Sequence, residues 1–137
     1  YGNAGNDILI GGEGDDILYG GAGADTFVWH AGHTGKDTIK DFTTSGAERD
    51  TIDLRDLLQG ENDANIDNFI RLVTTDSTTT LEISSKGEFG HGAAADVTIK
   101  LENGGNPVDL SSYGSTSSDV INSLIAGSNP MIKVDHT

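Results

Sequence analysis

Three aspartates recur nine residues apart near the start of the chain: Asp7, Asp16 and Asp25. Each sits in the same frame. Gly2-Asn3-Ala4-Gly5-Asn6-Asp7-Ile8-Leu9-Ile10 runs without a gap into Gly11 to Tyr19 and then Gly20 to Val28. All three units read Gly-[Gly/Asn]-x-Gly-x-Asp-x-U-x, with U a large apolar residue. A carboxylate set among glycines suits a hard cation. Calcium takes about six to eight oxygen donors and mixes carboxylates with backbone carbonyls, and glycine lets the backbone come close. A flexible Gly/Asp loop has no reason to repeat an apolar residue at the eighth place of each unit, yet Leu9, Leu18 and Phe27 all stand there. A fourth unit follows a three-residue insertion, Trp29-His30-Ala31; it is Gly32-His33-Thr34-Gly35-Lys36-Asp37-Thr38-Ile39-Lys40.

The elements that must position these aspartates follow from the frame. The first six residues of a unit make a tight turn, with glycine supplying positive φ. The last three make a short strand whose middle, apolar side chain points inward. The frame is the calcium-binding nonapeptide known from RTX proteins, and on these residues the chain resembles that family. Two units then form one coil of a flattened parallel β-roll, so same-side units lie two repeats apart, as do Tyr1 and Tyr19. Tyr1 is therefore expected to end a preceding unit of a longer array. The resemblance also implies a ligand set. Asp7 and the carbonyls of Asn3 and Gly5 would share one ion with Asp25 and the carbonyls of Gly20 and Ala22. Asp16 and the carbonyls of Gly12 and Gly14 would share a second with Asp37 and the carbonyls of Gly32 and Thr34. Asp41 is a further candidate ligand. Two or more calcium ions are expected. Asp15 is expected to face solvent, and Asp41-Phe42 and Asp50-Thr51-Ile52-Asp53-Leu54 read as the decayed exit from the roll.

Composition agrees with a metal-dependent fold. The 137 residues carry 22 acidic and 8 basic side chains, a net charge of −14, with a hydrophobic fraction of only 34%. Such a chain repels itself until the charge is neutralised. It also lacks the basic patches that nucleic acid or an anionic membrane requires. There is no cysteine to staple a small domain, so metal is the natural staple. No apolar run reaches membrane-spanning length.

Beyond the repeats, Leu54 to Leu58 suggests a short helix plugging the roll, and Ile66 to Ile70 another. Arg71 to Thr75 and Thr80 to Ser84 read as two strands around a turn at Asp76-Ser77. A Gly-rich loop spans Lys86 to Ala95. Val97 to Leu101 alternates like a half-buried strand, and Asn103 to Pro107 is a turn. Ser117 to Ile125 carries caps and helical apolar spacing, with Gly127 as its stop. Met131 to Val134 reads as a last strand. The run GGAGADTFVWHAGHTGKDTIKDF, then DTIDLRDLL, SSDVINSLIAG and MIKVD resembles the C-terminal target domains of large RTX adhesins exported by the type I pathway of Gram-negative bacteria. That resemblance implies a secreted, extracellular and cell-surface protein whose C-terminal segment is read by an ABC exporter and which folds on meeting external calcium.

No H-E-x-x-H, G-x-S-x-G or phosphate-binding loop occurs, and the four histidines are not at metal-ligand spacing. Trp29 is expected to anchor a core, and the Thr-rich stretch from Thr74 to Thr80 fits a strand-turn-strand. The sequence thus reads as a mainly β, non-enzymatic monomer. A short parallel β-roll over 1–45 continues into a β-rich C-terminal cap with a few short helices over 46–137, as one continuous domain. The expected role is calcium binding with type I secretion and capping of an adhesin. The alternatives are an adhesive or ligand-binding module, or the calcium-binding tail of a secreted protease or lipase.

Overall fold

The computed structural model describes residues 2, 4–30, 34–43, 49–58, 68–75, 78–84, 95–103, 106–107, 117–125 and 131–133. Among these residues the strands are β1 (Ile8–Ile10), β2 (Ile17–Leu18), β3 (Thr26–Val28), β4 (Gly35–Ile39), β5 (Thr51–Asp53), β6 (Ile70–Thr75), β7 (Thr78–Ile83), β8 (Val97–Asn103), β9 (Asn106–Pro107) and β10 (Ile132–Lys133), and the helix α1 (Ser117–Ile125) precedes β10.

Successive units alternate between two sheets, as the nine-residue frame requires. One sheet runs β1-β3-β5-β10, and its pairs are all parallel. The other runs β2-β4-β8-β7-β6. Ile8 pairs with Thr26 and Leu9 with Phe27, which is the two-repeat spacing. Ile17 pairs with Thr38 and Leu18 with Ile39. The insertion at Trp29-His30-Ala31 is therefore absorbed between strands without shifting the register. Both sheets also run through the sequence boundary at residue 45, since β5 pairs with β3 and β8 with β4.

Alternation along each strand puts the eighth residue of every unit inside. Leu9 and Leu18 are each 8% exposed, while Phe27 and Ile39 are fully buried. The flanking Ile8, Ile10 and Ile17 lie outside and exposed. Ile52, Leu54, Trp29 and Phe42 extend this core, with the Phe27 and Phe42 rings 6.3 Å apart.

Several sequence expectations change. Asp50 to Leu54 is no decayed exit: Thr51–Asp53 is a full rung, pairing with β3 on one side and β10 on the other. Leu54 to Leu58 is a single turn, in which Leu57 and Leu58 N–H both donate to Leu54 O. The helix expected over 66–70 does not reach its end, because Ile70 opens β6; residues 66 and 67 lie outside the described set. The turn expected from Asn103 to Pro107 agrees with the antiparallel pairing of Asn103 with Asn106, and residues 104 and 105 lie outside the described set. The strand pair β6–β7 and the helix Ser117–Ile125 stand where the sequence places them, although β7 starts two residues early at Thr78. The Gly-rich loop 86–94, the turn 76–77 and Gly127 lie outside the described residues.

Because Phe27 is the central side chain of the central repeat rung, Phe27→Ala should cost about 3–5 kcal/mol in a packed core. The expected outcome is a clear loss of thermal stability in saturating calcium, measured by circular dichroism. A Tm unchanged from the parent would show that the repeat rungs share no common core.

Candidate metal centre

The aspartates form two vertical columns. Asp7, Asp25 and Asp50 stand before β1, β3 and β5; Asp16 stands before β2, and Asp37 lies within β4. Within a column the upper carboxylate accepts from the lower aspartate's main chain. Asp7 N–H donates to Asp25 Oδ1 at 2.9 Å, Asp25 N–H to Asp50 Oδ1 at 2.9 Å, and Asp16 N–H to Asp37 Oδ1 at 2.8 Å. The following residue completes the ladder, with Thr26, Thr38 and Thr51 N–H donating to the carbonyls of Asp7, Asp16 and Asp25.

Each lower carboxylate keeps a second oxygen in a different situation. Asp7 Oδ2 and Asp16 Oδ2 are buried with no hydrogen-bond donor, and Asp25 Oδ2 is a third such atom. Burying a carboxylate oxygen without a donor is costly, on the order of several kcal/mol, unless a cation meets it. Glycine keeps the space beside these atoms open. A Cβ on Gly2 would lie 2.5 Å from Gly20 O and 2.7 Å from Asp7 Oδ2, so oxygens of two successive coils face one small volume. A Cβ on Gly11 would lie 2.8 Å from Asp16 Oδ2, and one on Gly20 would strike Asp25 Oδ2. The first glycine of a unit thus makes room for that unit's own aspartate. The fourth glycine has another task. Gly5, Gly14, Gly23 and Gly35 all have positive φ, and a side chain on Gly23 or Gly35 would strike the carbonyl oxygen of Gly5 or Gly14 in the coil below.

This donor set fits calcium: one carboxylate oxygen without a proton donor on each of Asp7, Asp16 and Asp25, beside carbonyl oxygens of the stacked turns. Among the described residues no three acidic or histidine side chains converge on a point, so carbonyls must supply most of the donors. Asp7, Gly5, Gly20, Ala22 and Asp25 are brought together in stacked turns, where Ala4 and Ala22 also bridge. Gly12, Gly14, Asp16, Thr34 and Asp37 belong to the other stack, where Gly14 N–H donates to Thr34 O at 3.0 Å. Asn3 and Gly32 lie outside the described residues.

Asp41 sits apart from both pairs. Its Oδ1 accepts from Gly20 N–H at 2.9 Å and its Oδ2 from Gly21 N–H at 2.8 Å, so it clamps the third turn from above. Asp15 is exposed, as expected, but not idle: its Oδ1 accepts from Lys36 N–H at 2.8 Å in the next coil. Asn6 does the same for Ala24 N–H at 2.9 Å. Sequence reasoning missed this role of the fifth position, although Asn6 and Asp15 share it. It also missed Asp50, whose Asp-Thr-Ile keeps the Asp-x-U signature at a stretched spacing.

Burial governs the acidities at the upper end. Asp37 is raised above the usual carboxylate range mainly by burial, against the lowering effect of its bonds from Trp29 and Asp16 N–H. Asp50 is pushed up to about 6, again chiefly by burial; its bonds from Asp25 and Thr43 N–H oppose this, and the Asp25 and Asp41 charges add to it.

Fold and site together define a calcium-binding parallel β-roll. Comparison with known proteins agrees: residues 1–39 match the RTX calcium-binding nonapeptide repeat, in four copies. No curated protein matches the chain. Among solved structures, the solution structure of the AlgE6R3 subunit from the Azotobacter vinelandii mannuronan C5-epimerase is similar at 18% identity, over 85% of this chain and 87% of that chain, with a TM-score of 0.23.

Two tests follow from this geometry. Gly11→Ala should displace the Asp16 carboxylate and raise the calcium midpoint for folding. Gly12→Ala has φ +88° but nothing within 4 Å of its new Cβ, so it should cost only about 1 kcal/mol of backbone strain. Equal calcium midpoints for the two variants would contradict the assigned role of the first glycine. The second test concerns pH in metal-free buffer. With Asp50 raised to about 6 from 3.8, the folded chain binds a proton in this window that the unfolded chain does not. Stability then falls as pH rises from about 4 through about 6. More β-structure is expected at pH 5 than at pH 7 by far-UV circular dichroism, and Asp50→Asn should flatten the difference. A parent chain more structured at pH 7 would reverse the sign and defeat this reading.

Proposed function

We propose that this chain is a calcium-folded, non-enzymatic module that directs type I secretion through its C-terminal segment and then caps an extracellular adhesin. One ion would be held between the turns of Asp7 and Asp25 and a second between those of Asp16 and Asp37. Asp50 extends the first column and offers a place for a third, shared with Asp25. The observation that carries the calcium reading is the pair of buried, donorless oxygens of Asp7 and Asp16 beside glycine-cleared space.

Support for a dual role of the tail comes from its pairing. The strand β10 lies on β5, with Ile52 N–H donating to Met131 O at 2.8 Å and Leu54 N–H to Lys133 O at 2.9 Å. The helix α1 buries Val120, Ile121, Leu124 and Ile125 and packs against β6 and β10. The same apolar residues are free to meet an exporter while the chain is unfolded and are covered once the roll forms. RTX repeats are typical of secreted proteins. Among the described residues no helix is long and apolar enough to cross a membrane.

The energy scale is sufficient. Extracellular calcium modules bind with Kd of roughly 10⁻⁴–10⁻³ M, so a cytosolic level orders of magnitude lower leaves such sites empty. At calcium about a hundred times Kd, each independent site adds about 2.7 kcal/mol. Two sites then add about 5 kcal/mol, comparable to the whole stability of a small domain.

Calcium titration followed by far-UV circular dichroism should show a transition from unfolded to folded, and full structure in chelator at neutral pH would defeat the calcium-folding reading. The secretion reading has its own test in a carrier fused to this chain. Deleting residues 117–137 should abolish export, whereas Asp16→Ala with Asp25→Ala should yield exported but poorly folded product. Full export of the tail-deleted fusion would leave the adhesive-module alternative ahead.

A further inference from the structure

In both columns the last aspartate differs from those beneath it. Asp7 and Asp16 each keep a donorless oxygen, whereas both oxygens of Asp37 and of Asp50 are taken by protein N–H groups. For Asp50 the second donor is Thr43 N–H at 2.8 Å. For Asp37 it is a side chain: Trp29 Nε1–H donates to Oδ2 at 2.7 Å. Both partners are nearly inaccessible, Trp29 at 1% and Asp37 at 2% exposure.

The surroundings explain why Asp37 needs such a partner. It lies on the inward face of β4 beside Ile39, and its neighbour in the next rung is Ile99 rather than another aspartate. No carboxylate of β8 is in register to share an ion above it. Trp29 reaches the site because of the insertion that interrupts the repeats. Its main-chain N–H donates to Asp53 O at 3.2 Å, beside the first sheet, while its indole crosses the core to the second column.

We propose that Trp29 closes the second calcium column. Its indole N–H occupies the oxygen that would otherwise face an ion of the next coil, so Asp37 serves the ion shared with Asp16 and no other. Trp29 is a positioning residue: it fixes the Asp37 carboxylate so that Oδ1 stays on Asp16 N–H, and it ties that arrangement to the first sheet. The inference rests on the calcium-roll reading for its effect on binding, but the indole–carboxylate bond itself is tested without it.

The chain has a single tryptophan, so one indole N–H resonance reports on the bond. In the folded full-length chain that proton should exchange slowly with solvent. Asp37→Asn should shift the resonance, and Asp7→Asn should leave it nearly in place. Trp29→Phe should raise the calcium midpoint of the second site about tenfold, the size of one lost hydrogen bond to a charged group, with the number of bound ions unchanged. The first column, followed in an Asp16→Asn background, should bind as before. A freely exchanging indole in the parent chain overturns the proposal without any variant, and so does a Trp29→Phe midpoint that is unchanged or lower. If the parent binds no calcium while its indole N–H is protected and responds to Asp37→Asn, the calcium reading fails and the bond stands.

Discussion

The structure depends on a stack of carboxylates held close together inside a chain that is already strongly acidic. Each upper aspartate accepts the N–H of the aspartate one coil below, at 2.8–2.9 Å. That bond fixes the vertical register of the turns, and the turns fix the strands. The carboxylates of Asp7 and Asp16 take no part in these bonds, and each keeps one buried oxygen without a donor. Main-chain hydrogen bonds can align like charges but cannot neutralise them. A divalent cation coordinated mostly by carbonyls does both.

Glycine placement follows from the same constraint, and two kinds of glycine are involved. The first of each unit is small so that a carboxylate can fold over it, as Asp16 folds over Gly11. The fourth is small and left-handed so that the next coil can settle on its neighbour's carbonyl, as Gly23 does above Gly5. A substitution at either place disturbs the oxygens directly, whereas the strand residues outside, such as Ile8, face solvent. The repeat is therefore strict where oxygen atoms meet and at the buried eighth residue, and permissive on the outer face of the strands.

Much of this was legible in the sequence because a repeat states its own geometry. The apolar eighth residue foretold the buried Leu9, Leu18, Phe27 and Ile39, and the two-repeat spacing foretold the pairing of β1 with β3. The short insertion was also readable, since Asp37-Thr38-Ile39 resumes the frame. Asp50 was not recognised as a rung, because 25 residues rather than 18 separate it from Asp25 and only the Asp-x-U core of the frame survives. Contacts that carry no spacing signal were invisible. Nothing local in Val97 to Asn103 says that it runs parallel to β4 and antiparallel to β7, and nothing in Ile132-Lys133 names β5 as its partner. The Trp29 bond was hidden for a related reason. Burial of a tryptophan can be read from its type, but the acceptor its N–H finds depends on a fold brought together by other residues.

The two ends of the roll are unlike. On one side, among the described residues, β1 and β2 pair only with other repeat strands, and their Leu9 and Leu18 are buried. On the other, β10 continues the first sheet from β5, β8 and the antiparallel strands continue the second from β4, α1 packs against β6 and β10, and Trp29 and Thr43 finish the aspartate columns. Such a body has a repetitive side and an irregular side. Duplication of a whole coil within Gly2 to Val28 lengthens it by copying a geometry already present, and asks nothing new of the distant residues. The same duplication inserted near Asp50 would have to rebuild the junction with Met131, Ile132 and Lys133. Variation in the length of such arrays should therefore accumulate on the side of β1 and β2, while the opposite side changes only by substitution.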